Sequence, residues 1–175
     1  MSKPKKIIFL DRDGVINSEV GYLYEIDKFI FIDGVLEELN YLSKLDYEFI
    51  IITNQSGIAK GKYSIADYKA LEEWMVKQFL NKGVNILDIY FCPHNPEDNC
   101  KCRKPKPGLI LDAFKTYTID KENSWMIGDK ETDIECAQNA GITNTVLVRS
   151  GHQIDETNTN ASYVVDSIKD LRKII

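Results

Sequence analysis

Two aspartates stand two residues apart, Asp11 and Asp13, directly after the apolar run Ile7 to Leu10 and before Gly14. Alternate residues on an extended backbone share a face, so both carboxylates can look into one crevice while Arg12 looks away. Two such carboxylates can divide labour. One attacks phosphorus and helps to hold a hard cation; the other serves as general acid and then base. Gly14 lets the backbone turn tightly beside the cation. Taken alone, the tetrapeptide Asp11-Arg12-Asp13-Gly14 reads equally well as a charged turn.

More polar groups stand where other apolar runs end. Thr53-Asn54-Gln55-Ser56-Gly57 offers a hydroxyl and backbone N–H groups to phosphate oxygens, although in isolation it reads as a hydrogen-bonded turn. Asp129, in Gly128-Asp129-Lys130, could complete an oxygen shell for Mg²⁺. Asp133 caps the next helix or holds a metal-bound water, capping being the simpler role. Arg103 and Lys104, stiffened by Pro105 and Pro107, supply fixed positive charge for a phosphoryl group or else a solvated basic patch, and Lys101 and Lys106 are read as the latter.

Cys92, His94, Cys100 and Cys102 fall within eleven residues. Three thiolates and an imidazole form a closed tetrahedral zinc set with no position left for water, hence a structural ion. It would fix the loop presenting Arg103 and Lys104. The competing reading, unrelated buried cysteines, sits poorly with the flanking Pro, Asn, Glu, Asp and Lys, which mark an exposed loop. Cys136 is read as a small core residue, and His152 is assigned no role.

These groups need a scaffold. Lys6–Leu10, Phe49–Thr53, Ile86–Phe91, Ser124–Ile127, Thr145–Val148 and Tyr163–Val165 read as short strands. Residues 34–45, the stretch from the N-cap Ser64 to about Leu80, Leu109–Tyr117, Asp133–Ala140 and the C-terminus read as helices, with residues 18–33 an ordered loop. The alternation implies an α/β fold: a Rossmann-like, doubly wound parallel sheet with ligands at the carboxyl ends of its strands. The whole chain, residues 1–175, reads as one domain. Only 41 residues separate Asp11 from Thr53 and 50 separate Thr53 from Lys104, which leaves no room for a separate cap domain. The crevice is therefore expected to be open and solvent-facing.

A net charge of −5 argues against partnership with nucleic acid or an anionic membrane, so an anionic substrate must meet a local cluster of positive charge. No secretory signal or membrane-length apolar run is evident, which places the chain in the cytoplasm. In that reducing compartment clustered cysteines favour metal over disulfides.

In combination, Ile7 to Gly14, Thr53-Asn54, Lys104, and Gly128-Asp129 with Asp133 resemble the four motifs of the haloacid dehalogenase (HAD) superfamily in their usual order. Gly21-Tyr22, Phe31 to Val35, Thr53 to Ala59, Cys92-Pro93-His94, Cys102 to Pro105, Pro107-Gly108 and Gly128 to Lys130 extend the resemblance over nearly the whole chain, toward the heptose-1,7-bisphosphate phosphatases. That resemblance implies a phosphatase acting on a sugar phosphate, in heptose supply for lipopolysaccharide or surface glycan. It makes Asp11 the nucleophile and Asp13 the general acid/base. Mg²⁺ would be held by Asp11, the Asp13 backbone carbonyl and Asp129; Zn²⁺ by Cys92, His94, Cys100 and Cys102. Thr53 and Lys104 would hold the transferring phosphoryl group. Arg103, Lys130, the loop Glu19, Val20, Gly21 and Tyr22, and Asn54, Gln55 and Ser56 would contact the rest of the substrate. The enzyme is expected to act as a monomer.

The five-residue spacer between His94 and Cys100 is similar to that of the related histidinol-phosphate phosphatases, which keeps histidinol phosphate as the alternative substrate. Gln55 to Ala59 and Pro107-Gly108 favour the heptose side. A rival of another class is a zinc-stabilised binding module without catalysis. For nucleic acid it lacks basic charge and an aromatic–basic stripe.

Overall fold

The computed structural model describes residues 3–175. Six parallel strands form one sheet: β1 (Lys6–Leu10), β2 (Tyr47–Asn54), β3 (Ile86–Cys92), β4 (Trp125–Gly128), β5 (Asn144–Val148) and β6 (Tyr163–Val165), in the order β3-β2-β1-β4-β5-β6. Four α-helices join them: α1 (Val35–Ser43), α2 (Ile65–Asn81), α3 (Gly108–Thr116) and α4 (Glu131–Ala140). This is the doubly wound arrangement expected from the alternation of apolar runs. The strand order reverses between β1 and β4, the switch point where such sheets open a crevice.

Side-chain parity on β1 divides the core into two layers. Ile8 and Leu10 pack with α1, α2 and the C-terminal residues, through Val35, Leu39, Leu71, Met75, Phe79 and Leu171. Ile7 and Phe9 face Leu109, Ile110 and Ala113 of α3 and Ala137 and Ala140 of α4. Burial on both faces explains why β1 and β2 read as unbroken apolar runs.

Residues 18–33 form a loop with a single 3₁₀ turn, Ile26–Lys28. It is pinned by Phe29 and Phe31, whose rings meet each other, Trp74 and Phe79 at centroid distances of 4.9–6.1 Å. No separate domain is inserted in this segment. The C-terminal helix is a 3₁₀ turn, Ile168–Lys173, rather than an α-helix. The buried Glu38 carboxylate holds it to α1 by accepting from the backbone N–H and the guanidinium of Arg172. Helix α4 begins at Glu131 rather than Asp133, so Lys130 is its N-cap. It closes on Gly141 in the left-handed region, φ 89°.

Ser64 caps α2 as its sequence suggests. Its hydroxyl accepts from Asp67 N–H at 3.1 Å, and Asp67 returns a contact to the Ser64 N–H. Ser64→Ala should therefore cost about 0.5–2 kcal/mol of stability, read by urea unfolding.

Candidate active site

The crevice forms at the carboxyl ends of β1, β2 and β4. Asp11 follows β1 and donates its N–H to Ile127 O of β4, which sets the two strand ends level. Asp129 follows β4. Asp11, Asp129 and Asp133 each place a carboxylate oxygen within 4.8 Å of the others. The site is less exposed than its sequence suggested: Asp11 is 8% exposed, with Lys104 packed on it, and Asp129 is fully buried against Gly14 and Gly151 of the loops after β1 and β5.

Lys104 sits among these acids. Its ammonium lies 3.0 Å from Asp11 Oδ1 and 2.7 Å from Asp133 Oδ1, and donates to Ile52 O at 3.0 Å. Burial works against the charge, but the two carboxylates hold the Lys104 pKa above its usual value. Asp11 moves the other way. Burial, followed by the nearby Asp133, pushes its carboxyl up to about 6 despite Lys104. Asp133 also caps α4 as expected, though from the third helical position: its Oδ2 accepts from the N–H groups of Asp129 and Lys130 at 3.1 Å. Gly128 makes this possible, since a Cβ there would lie 2.2 Å from Asp133 Cβ.

Asp13 is held differently. Strand β1 ends at Leu10, so alternation does not govern Arg12, and its guanidinium curls back onto Asp13 instead of leaving the crevice. Arg12 Nε donates to Asp13 Oδ2 at 3.1 Å and Nη2 to Oδ1 at 2.9 Å. Asn17 and Gln55 donate one bond each to the same carboxylate. Burial alone would raise the Asp13 pKa; the Arg12 fork and the two amides bring it below the ordinary value.

An inner recess of about 70 Å³ is lined by Asp11, Asp13, Lys104, Asp133 and His152. Beside it lies an open cleft of about 620 Å³, lined by Glu19, Gly21, Tyr22, Asn54, Gln55, Ser56, Arg103 and Lys130. Two expected contacts are turned elsewhere. Val20 is 53% exposed and does not line the cleft, and the Thr53 hydroxyl is buried, accepting from Gln55 Nε2 at 2.9 Å. Lining residues that were missed include Thr132, Tyr63 and His152. His152 Nδ1 lies 2.6 Å from Asp129 Oδ2, and its backbone N–H donates to the same oxygen. It lies four residues past the end of β5, and that place after a strand was the available signal.

The donor set fits a divalent cation. Among the described residues, the permanent cations ion-paired with Asp11, Asp13, Asp129 and Asp133 are Lys104 and Arg12, leaving two negative charges to balance. Buried Asp129 Oδ1 has no hydrogen-bond partner. Glycines leave Asp129 its space: a Cβ on Gly14 or Gly151 would lie 2.2 or 2.1 Å from its Oδ2.

The second ligand group lies where β3 runs into the next loop. Cys92, His94, Cys100 and Cys102 converge, with Sγ–Sγ and Sγ–Nδ1 separations of 3.0–3.6 Å. A tetrahedron with Zn–S and Zn–N bonds of about 2.0–2.3 Å has edges of roughly 3.3–3.8 Å, so the group is near the size zinc requires. The loop is exposed as expected from Pro96 to Asn99 and at Lys101, while Cys92, the last residue of β3, is buried. Lys101 and Lys106 are exposed, as expected, and Lys106 also donates across the loop to Asn99 Oδ1 and Cys100 O. Cys136 is a buried core residue, as expected.

Comparison with known proteins agrees with this geometry. The Hydrolase_like family, described as HAD-hydrolase-like, matches residues 101–171. The D-glycero-β-D-manno-heptose-1,7-bisphosphate 7-phosphatase of Pasteurella multocida (strain Pm70) is 47% identical, covering 98% of this chain and 97% of its own length. The chain belongs to the heptose-bisphosphate phosphatase family. The Escherichia coli (strain K12) relative of the same name is 42% identical, covering 100% of this chain and 96% of its own. The crystal structure of D,D-heptose 1,7-bisphosphate phosphatase from B. bronchiseptica, complexed with magnesium and phosphate, superposes with a TM-score of 0.85. Its identity is 30%, with 96% of each chain covered. Members of this family are phosphatases, and so is this chain, with the HAD-type fold.

The raised Asp11 pKa has a consequence for stability. An acid with its folded pKa above its unfolded value binds the proton more tightly when folded, so its contribution declines as pH rises from about 3.8 to about 6. In metal-free protein, wild type should lose thermal stability relative to Asp11→Asn across that window, with a constant gap above it. Parallel melting curves between pH 4 and 8 check this, and a gap that does not change with pH would refute the assignment.

Proposed function

We propose that the chain hydrolyses the 7-phosphate of D-glycero-β-D-manno-heptose 1,7-bisphosphate through an aspartyl-phosphate intermediate, in supplying heptose for lipopolysaccharide core or surface glycan. The observation carrying this reading is the convergence of Asp11, Asp129 and buried Lys104 at the β1/β4 switch point, in a chain related end to end to heptose-bisphosphate phosphatases. The relatives' names favour heptose over histidinol phosphate, and the acid–lysine site gives a purely structural zinc module no use for it.

Asp11, the backbone carbonyl of Asp13 and Asp129 would hold Mg²⁺. When bound, the ion supplies charge neutralisation and orientation of phosphoryl oxygens. Asp11 attacks the phosphorus, and Lys104 offsets negative charge on the transferring group. Thr53 adds its hydroxyl or backbone once Gln55 yields. Asp13 protonates the departing sugar oxygen, then takes a proton from the water that hydrolyses the aspartyl phosphate. Asp13 starts as a carboxylate, and an approaching phosphate dianion raises its affinity for the proton it must deliver.

The inner recess is too small for a sugar, so the heptose lies in the cleft. Arg103 and Lys130 would read the retained 1-phosphate there, while Glu19, Gly21, Tyr22, Asn54, Gln55 and Ser56 bound the sugar. Val20 would do so only through its backbone. Arg103 is steadied by donating to His94 O at 3.4 Å, which links this specificity to the metal loop. Zn²⁺ on Cys92, His94, Cys100 and Cys102 would have a structural role. We take the enzyme to be a single-domain monomer of the cytoplasm. Among the described residues no helix is long and apolar enough to cross a membrane.

With Mg²⁺ present, kcat/KM should be higher for the heptose bisphosphate than for histidinol phosphate or a sugar monophosphate, and Asp11→Asn should abolish turnover. Competitive kinetics check both; residual activity near wild type in Asp11→Asn would exclude covalent catalysis. Metal analysis should find about one tightly held zinc per chain, and Cys100→Ser should lower melting temperature and activity together. Zinc-free protein with unchanged melting would remove the structural role.

A further inference from the structure

Arg12 is 2% exposed and does not line the crevice, yet it makes the closest ion pair to Asp13. We propose that Arg12 is a positioning residue, whose guanidinium fork fixes the orientation of the Asp13 carboxylate for proton transfer to the leaving group. The inference rests on the reading of Asp13 as general acid/base.

The geometry is that of a clamp. Nε and Nη2 each take one oxygen of Asp13, and a planar fork with two parallel bonds fixes the plane of a carboxylate as a single ammonium cannot. The fork is itself held, because Nη2 also donates to Leu23 O at 3.1 Å. The guanidinium carbon lies 5.9 Å from the centroid of the buried Tyr68 ring. On the far side, Gln55 Nε2 donates to Asp13 Oδ2, and Tyr63 donates to Gln55 Oε1 at 2.5 Å, fixing which end of the amide faces the acid. Each Asp13 oxygen thus has two donors, one charged and one neutral. To carry a proton, one oxygen must release a donor. The neutral amides yield more readily than the ionic fork. Arg12 is then the fixed point about which the acid keeps its aim through both half-reactions.

A structural ion pair and a positioning one differ in what they do to leaving groups. The value of kcat/KM reports steps up to departure of the alcohol, where only a poor leaving group needs a proton. A sugar alkoxide is a poor leaving group and p-nitrophenolate a good one. Arg12→Lys keeps the charge but not the fork. It should lower kcat/KM for heptose 1,7-bisphosphate by about 10- to 10²-fold and for p-nitrophenyl phosphate by less than about threefold. Added to Asp13→Asn it should cause little further loss, because it acts through the missing acid.

Arg12→Gln serves as a second variant, and both are assayed only as protein that melts cooperatively. Equal losses on the two substrates, additivity with Asp13→Asn, or failure of both variants to fold would make Arg12 structural and overturn the inference. Asp13→Asn alone tests the underlying reading: if its loss does not depend on the leaving group, Asp13 is not the acid, whatever Arg12 does.

Discussion

The ammonium of Lys104, buried between Asp11 and Asp133 and bonded to the end of β2, is the contact on which the rest of the site depends. Removing one partner of a buried charge cluster leaves the others uncompensated, at a cost of several kcal/mol. Without Lys104 the acids at the switch point would repel one another. With it they still retain surplus negative charge, which suits a site whose remaining positive charge arrives as a cation. The arrangement opposes stability and favours chemistry: burial makes Asp11 reluctant to ionise, and the same burial strengthens each interaction with a phosphoryl group.

A flexible lysine could not hold that position from a loose loop. Lys104 follows Cys102 by two residues, and its backbone exchanges hydrogen bonds with the Asn54 side chain, at 3.2 Å for the N–H and 3.4 Å for the carbonyl. Lys106 bonds across the same loop. Helix α3 packs so closely on it that a Cβ at Gly108 would lie 2.3 Å from Lys101 O. The cysteine–histidine group therefore lies between the core and the cleft. Its four side chains converge directly before Arg103 and Lys104 in the chain, so a metal held there would brace both.

Much of this was legible in the sequence because a parallel sheet places function at strand ends. Asp11 and Asp129 were reached by looking just past an apolar run, and the cysteine–histidine cluster by spacing alone. What was not legible depended on three-dimensional closure. Arg12 could not be placed by strand alternation, because the strand stops before it. Its return to Asp13 depends on the tight turn in which Arg12 O accepts from Val15, Ile16 and Asn17 N–H. The burial of Asp129 comes from loops after β1 and β5 that no local pattern links. His152 escaped because its partner, Asp129, is 23 residues away and the pair shares no motif. The C-terminal 3₁₀ turn takes its shape from docking on Glu38, a tertiary contact that overrides propensity.

The strand order also schedules the molecule's birth. β1 is central, but its neighbour β4 is made 117 residues later, as the pairing of Ile8 with Trp125 illustrates, and Ile7 N–H donates to Ser124 across the same separation. A chain emerging from the ribosome can pair β1, β2 and β3 and gather its cysteines while one edge of β1 is still bare. Asp11 and Lys104 meet in that half-sheet, but Asp129 and the glycine at 151 do not yet exist. Long-range pairing of this kind is slow and leaves an edge open to misassociation. It also means that the crevice is whole only once β4 and β5 are in place: a fragment ending before Asp129 lacks one of the three clustered acids.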